Sequence, residues 1–260
     1  MTFSILFWNI WYCNQIGDNT KFDNLLNELK EIIDRYQPTL IALSEVIQPS
    51  NTALPPIVQY LQEFGYIHTH YTQMAELPDY WLSGVALCSK VELNNKQTHI
   101  ISQNAYASNH GYPGLKKEIL SARLALEKNQ EVNIIVAHPP AMRDSFKENR
   151  AAIKSLEQLI RFEPYNHNTI LAGDMNEWRH APGTLWRKTS DIMHARTSSI
   201  LRPTWRYNAH RLTPIRLNLD YIYWSKMSSL KLNDFKVLES NTSDHRPLFA
   251  SFECLTRHEI

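Results

Sequence analysis

Eight polar residues follow or interrupt apolar, strand-like runs in this sequence: Asn9, Glu45, His138, Asp174, Asn176, Asp220, Asp244 and His245. Taken singly, each has a plainer role. Asn9 suits a turn, and Glu45 suits a cap or a partner for a surface lysine. Their recurrence is the signal. An ionisable group at the end of a buried strand carries a desolvation cost unless something compensates it. Several carboxylates brought to one place also repel one another. A hard cation removes that conflict, and Mg2+ or Mn2+ prefers carboxylate and amide oxygens. The chemistry that such a set suits is therefore metal-assisted.

The elements that must position these residues can be read from periodicity. Thr2–Trp8 is a short, apolar, β-prone run that ends at Asn9. From Lys21 to Tyr36, Phe22, Leu25, Leu26, Leu29, Ile32 and Ile33 recur at helical spacing, and Pro38 closes the helix. Thr39–Leu43 predicts a second buried strand, ending at Ser44-Glu45. A helix is expected over Pro55–Glu63, and strands over Gly84–Ser89, Ala122–Leu126 and Val132–Ala137, the last ending at His138-Pro139-Pro140. A helix from about Asp144 to Ile160 follows. Further strands are expected at Thr169–Ala172, Leu219–Trp224 and Pro247–Phe252. Strands and helices intermix without a strict alternation, and no repeat, low-complexity tract or Gly/Ser linker divides the chain. One α/β domain over residues 1–260 is expected. Buried strands that end in polar residues fit it, because sites in such folds collect at strand ends.

Composition bounds the partners. The 27 Lys and Arg residues stand against 26 Asp and Glu, a formal net charge of +1, so any attraction to a polyanion must be local. Cys13, Cys88 and Cys254 are far apart and odd in number, which reads as buried thiols in a reducing compartment. The N-terminus lacks a signal-peptide pattern, and no apolar run approaches the roughly 18 residues of a membrane span. A cytoplasmic protein without a transmembrane segment is expected, and nothing points to a protein partner.

The motifs around the eight residues resemble those of the endonuclease/exonuclease/phosphatase superfamily. This DNase I-like group includes DNase I, exonuclease III-type repair nucleases, neutral sphingomyelinases and inositol polyphosphate 5-phosphatases. The matching pieces are the opening strand to Asn9, Leu43-Ser44-Glu45, Ser83-Gly84-Val85-Ala86-Leu87-Cys88-Ser89-Lys90 and Arg123. They continue with Ala137-His138-Pro139, Gly173-Asp174-Met175-Asn176, Leu219-Asp220-Tyr221-Ile222 and Ser243-Asp244-His245-Arg246-Pro247. They follow the family's order over nearly the whole chain. The stretch from His138-Pro139-Pro140-Ala141 through Pro203-Thr204-Trp205 to Ser243 is similar to the YafD-like branch.

The resemblance implies a four-layer sandwich of two packed mixed β-sheets flanked by helices. It also implies Mg2+- or Mn2+-dependent phosphoester hydrolysis. Glu45 would be the principal metal ligand, with Asn9 and Asp244 beside it. Asp174 would orient or deprotonate the attacking water, or hold a second metal. Asn176 would bond a phosphate oxygen, and His138 and His245 would sit on the phosphate, with Asp220 orienting His245. In-line attack on a phosphodiester needs an activated water, charge neutralisation and help for the leaving alkoxide, which fits these roles. Three departures stand out. Ser44 occupies a position where many relatives carry glutamine. Neither Glu76 nor Asp79 aligns as the acidic partner of His138. The inositol phosphatase signature is missing around Asp220, which disfavours inositol phosphates.

Other residues divide between structural and functional readings. Arg123 is either a sheet-rim salt bridge or, on the family pattern, a phosphate-facing arginine. Trp178, Arg179 and His180 either pack a loop or contact substrate, the aromatic ring stacking on a base or sugar. His68, His70, His99, His110, His167 and His194 show no metal spacing and read as ordinary loop or surface residues. Lys116-Lys117-Glu118 reads as a solvated turn, and Gly111-Tyr112-Pro113-Gly114 before it suits a loop at the site mouth. Between Asn176 and Asp220, Arg179, Arg187, Lys188, Arg196, Arg202, Arg206, Arg211 and Arg216 face only Glu177 and Asp191. That segment is either ordinary surface or a polyanion-binding rim. Nucleic acid is the leading substrate expected. A small phosphodiester or phospholipid head group is the alternative within the enzyme class, and a catalytically silent binding module is the alternative outside it.

Overall fold

The computed structural model describes residues 1–11, 19–49, 51–77, 81–107, 112–126, 130–141, 146–162, 167–177, 184–199, 202–207 and 215–255. Cys13, Asp79, His110, Trp178, Arg179, His180 and Arg211 lie outside them.

Two six-stranded mixed sheets carry the chain. The first has the order β13-β14-β1-β2-β4-β3: Leu230–Val237, Leu248–Cys254, Thr2–Asn9, Leu40–Pro49, Trp81–Ser89 and His68–Leu77. The second has the order β5-β6-β7-β8-β12-β9: Leu93–Ala107, Tyr112–Ala125, Glu131–Ala137, Thr169–Asp174, Asp220–Ser225 and Met193–Arg196. A small ladder of β10 (Trp205–Tyr207) and β11 (Ile215–Leu217) stands apart. Helices α1 (Asn19–Tyr36) and α2 (Pro56–Glu63) cover the outer face of the first sheet. Helices α3 (Phe146–Arg161) and α4 (Leu185–Lys188) cover the second.

Alternation along the central strands explains the four layers. Ile5 and Phe7 of β1 face the inter-sheet core with Ile134 and Val136 of β7. Leu6 and Trp8 face outward onto Leu25, Leu29, Ile32 and Ile33 of α1. Ile135 and Ala137 likewise face out onto Ile153, Leu156 and Ile160 of α3. Strands buried on both faces read as continuous apolar runs, which is why β1, β2, β7 and β8 are visible in the sequence. Of the apolar stripe expected on α3 at Phe146, Ile153, Leu156, Leu159 and Ile160, Ile153, Leu156 and Ile160 are buried and Leu159 is partly buried, whereas Phe146, in the first turn, is exposed.

Each sheet contains one parallel strand–helix–strand unit, β1-α1-β2 and β7-α3-β8. Parallel neighbours need such a crossover, and their C-terminal ends lie side by side. One unit therefore delivers Asn9 and Glu45, and the other delivers His138 and Asp174. Close approach at the second end requires glycine: a Cβ on Gly173 would run into the Ala137 carbonyl oxygen and the Met175 side chain.

Some elements differ from the sequence reading. Lys117 and Glu118 lie within β6 rather than in a solvated turn, and Glu118 is buried and accepts a hydrogen bond from the Thr72 hydroxyl. Strands β3, β5, β9 and β13 had not been expected. They are the four sheet edges, and edge strands carry polar residues instead of apolar runs. His68, His70, His99 and His194 sit on three of these strands. Cys88 and Cys254 are buried free thiols, as expected. No described helix is long and apolar enough to cross a membrane.

Candidate active site

Glu45 owes its place to a bulge. Strand β2 pairs Ser44 with Val85 and Val46 with Gly84, so Glu45 is the extra residue, with a φ of 59°. A left-handed glutamate is strained, and such strain is stored at sites that the surrounding structure holds firmly. On the other side of β4, strand β3 comes so close that a Cβ on Gly84 would meet the Thr72 carbonyl oxygen.

Asn9 joins the two sheets. Its side-chain amide donates to Glu45 Oε1 at 3.1 Å and to Asp174 Oδ2 at 2.9 Å. Its Oδ1 accepts from the Trp11 N–H at 3.1 Å. Its carbonyl accepts from the Ser243 hydroxyl at 2.8 Å, which ties β1 to the Asp244-His245 turn. Asp174 Oδ2 is the centre of the cluster, 3.8 Å from His138 Nε2 and 3.7 Å from His245 Nε2. Asp174 Oδ1 accepts from the Asn176 backbone N–H at 2.9 Å.

His245 is held on every side. Its Nδ1 lies 3.1 and 2.9 Å from the two oxygens of Asp220. The Trp8 indole donates to its carbonyl at 3.1 Å. Burial works against a charge on His245, but Asp220, Asp174 and Asp244 outweigh it and raise its pKa to about 10. His138 has no such partner. Glu45 Oε1 and Asp174 Oδ2 stand at 3.7 and 3.8 Å from its Nε2, beyond hydrogen-bond length, and its buried Nδ1 has no partner among the described residues. Burial, with Lys117 nearby, pushes its pKa down to about 3. At neutral pH the site holds one cationic and one neutral imidazole.

The carboxylates are the reverse case. Burial raises Glu45 to about 7, with Asp244 and Asp174 adding to it, and burial also raises Asp244. Asp244 Oδ2 accepts from the Trp205 indole at 2.8 Å, whereas buried Asp244 Oδ1 has no hydrogen-bond partner among the described residues. A carboxylate oxygen that makes no hydrogen bond, with His245 Nε2 3.9 Å away, among carboxylates that resist ionisation fits a hard divalent cation. Asp174, Asp220 and His245 also offer ligand atoms within 4.8 Å of one another. There, however, both Asp220 oxygens already face His245 Nδ1. Glu45 and Asp244 are not part of that group; their nearness shows in the raised pKa of Glu45, to which Asp244 contributes.

All eight strand-end residues converge. Arg123 does not join them: it pairs with Glu131 at 3.1 Å. Strand β6 runs antiparallel to β7 and sets Arg123 opposite Asn133, whereas His138 follows the far end of β7. The basic segment is also less bare than its own sequence implies. Glu239 takes Arg202 and Arg206 at 3.0 Å each and Arg246 at 2.7 Å, and Lys188 pairs with Glu157 at 2.8 Å.

Two supports escaped the sequence reading. Asn149, fully buried on α3, donates to the Pro140 carbonyl at 2.7 Å, and Asn176 donates to that of Pro139 at 3.0 Å. Together they pin the backbone after His138. Asn149 falls on the apolar stripe four residues before Ile153, and a polar residue interrupting such a stripe is the signal that finds it. Glu177, just past Asn176, is buried and raised to about 7 by that burial. It accepts from the Leu185 N–H at the start of α4.

Fold and sequence together define a class. Residues 6–245 match the model of the Endonuclease/Exonuclease/phosphatase family, and the chain belongs to that family of hydrolytic phosphoesterases. A UPF0294 protein of Vibrio parahaemolyticus is 27% identical over 157 residues, covering 60% of this chain. The match spans 52% of that relative's length. D. rerio TDP2 complexed with a single-strand DNA product superposes with a TM-score of 0.67 at 15% identity, over 97% of this chain and 99% of its own. Sphingomyelinase C from Streptomyces griseocarneus does so with a TM-score of 0.68 at 13% identity, over 96% and 99%. These structural likenesses are likenesses of fold.

Proposed function

We propose that this chain is an Mg2+- or Mn2+-dependent phosphodiester hydrolase whose substrate is nucleic acid. The observation that carries the reading is the meeting of Asn9, Glu45, His138, Asp174 and His245 around one carboxylate oxygen, Asp174 Oδ2. Asp174 would accept the proton of the attacking water, and Asn9 and the Asn176 N–H hold its two oxygens in place. His245, kept cationic by Asp220, would neutralise a non-bridging phosphate oxygen. His138, neutral, would donate a hydrogen bond to the same phosphate, beside the Asn176 amide. A divalent cation held by Glu45 and Asp244 would supply Lewis-acid help to the phosphate and the departing alkoxide.

Nucleic acid is favoured by the basic segment between the Asn176 and Asp220 motifs and by the DNA-bound relative of the same fold. The Glu239 cluster, which neutralises part of that segment, favours the second reading, a small phosphodiester or phospholipid head group. The test is hydrolysis of DNA, RNA, bis-(p-nitrophenyl) phosphate and sphingomyelin with Mg2+, Mn2+ or EDTA. Metal-dependent cleavage of DNA or RNA is the expected result. Cleavage of the small or lipid substrates alone would replace it with the second reading, and no cleavage of any would leave a silent binding module.

A further inference from the structure

The β10-β11 ladder is only three residues long on each side. Two-stranded pieces of this size have little stability of their own. What fastens it is the site turn. The Arg206 N–H donates to the Asp244 carbonyl at 2.9 Å, the Arg246 N–H donates to the Thr204 carbonyl at 2.7 Å, and Trp205 bridges His245. Two side chains return from this segment into the site. The Thr204 hydroxyl oxygen accepts from the Leu219 and Asp220 N–H groups at 3.0 and 3.1 Å, which places Asp220 under His245. The Trp205 indole N–H donates to Asp244 Oδ2 at 2.8 Å.

An indole N–H is a donor only, so Trp205 takes no part in ligating a cation. What it does is divide the two oxygens of Asp244. Oδ2 is occupied, and Oδ1 is buried without a hydrogen-bond partner among the described residues, with the His245 ring 3.9 Å away. We propose that Trp205 is a positioning residue that presents Asp244 to a divalent cation through Oδ1 alone. This rests on the metal-dependent reading above. It adds a consequence for selectivity. Ca2+ takes six to eight oxygens and accepts bidentate carboxylates, whereas Mg2+ demands compact octahedral geometry. A carboxylate with one oxygen engaged by a donor favours the smaller ion.

Trp205→Phe keeps an aromatic ring and removes the donor. Calorimetric titration of the purified chain with Mg2+ and with Ca2+ reads the effect without any substrate. Loss of an outer partner of a metal ligand lowers affinity by about 10–100-fold. Mg2+ affinity should fall by that order, and Ca2+ affinity should fall much less. The wild-type protein supplies a second readout that does not depend on the variant folding: the Trp205 indole resonance in an 15N–1H correlation spectrum should shift as Mg2+ is added. Unchanged Mg2+ affinity in a folded variant, equal loss of both ions, or an indole resonance indifferent to Mg2+ overturns the inference while leaving the function in place. A wild-type chain that takes up no Mg2+ overturns the metal-dependent reading and this inference with it.

Discussion

His138 and His245 are both buried and both within 3.8 Å of Asp174 Oδ2, yet their surroundings drive them to opposite charge states. The half of the site around His245 gives the ring a carboxylate at 2.9 Å, and the pKa rises to about 10. The half around His138 gives it burial, the nearby charges of Lys117 and His245, and carboxylates beyond hydrogen-bond length, and the pKa falls to about 3. The contrast has two causes: three carboxylates, one within hydrogen-bond length, outweigh desolvation at His245, whereas Lys117 and His245 add to desolvation at His138. The proposed phosphate site thus gains one fixed positive charge and one neutral donor from the same residue type.

Asp174 belongs to both halves, so removing it should collapse the comparison altogether. Asp174→Asn keeps the shape and takes away the proton acceptor. In steady-state kinetics its kcat should fall by about 10²–10⁴-fold with little change in KM. Turnover near the wild-type value would remove Asp174 from the chemistry.

Separating the halves comes next. His245→Ala should lower kcat by about 10²-fold or more, the usual consequence of losing a preorganised charge-stabilising donor. His138→Ala should cost clearly less, since a neutral imidazole is lost. Equal losses would erase the distinction between the two rings.

A smaller effect is visible in stability. His245 has a folded pKa above its ordinary value of 6.5, so its contribution is fully present below that value and lost as pH rises through about 10. Asp220→Asn should therefore flatten the decline in melting temperature across that range. Glu45 is also raised, from 4.5 to about 7, so its favourable contribution below 4.5 is lost as pH rises to about 7. At pH 8 without metal, Glu45→Gln should melt about 2–4 °C higher, the change that about 1 kcal/mol makes in a chain of this size. It should bind Mg2+ more weakly. A variant that melts lower and binds Mg2+ normally would mean that Glu45 is structural.

The smallest effect concerns the rim. Replacing Arg202, Arg206 and Arg211 with serine should flatten the salt dependence of polynucleotide binding, where each duplex phosphate contributes a slope of about −0.9. Hydrolysis of bis-(p-nitrophenyl) phosphate should hardly change. An unchanged slope would assign Arg202 and Arg206 to Glu239 and structure alone.

The strand ends were legible because β1, β2, β7, β8 and β12 are buried on both faces, and a polar residue after an apolar run stands out. Asn149 showed only as a polar break in an apolar stripe, and Thr204 and Trp205 only as part of a family-like stretch, since their importance lies in which carbonyl, N–H or carboxylate they meet across the fold. Arg123 misled for a related reason: its strand is in the site's sheet, but antiparallel pairing sends the arginine to the other end. Edge strands β3, β5, β9 and β13 hid because one-sided burial leaves no apolar run.

Whether this cluster is a metal-dependent phosphodiesterase centre is decided by the turnover of bis-(p-nitrophenyl) phosphate by purified wild-type protein before EDTA, after EDTA and after excess Mg2+ is restored. Turnover that EDTA abolishes and Mg2+ restores is expected, with Asp174→Asn slower by about 10²–10⁴-fold throughout. Turnover that survives EDTA, or that Asp174→Asn retains in full, would contradict that assignment.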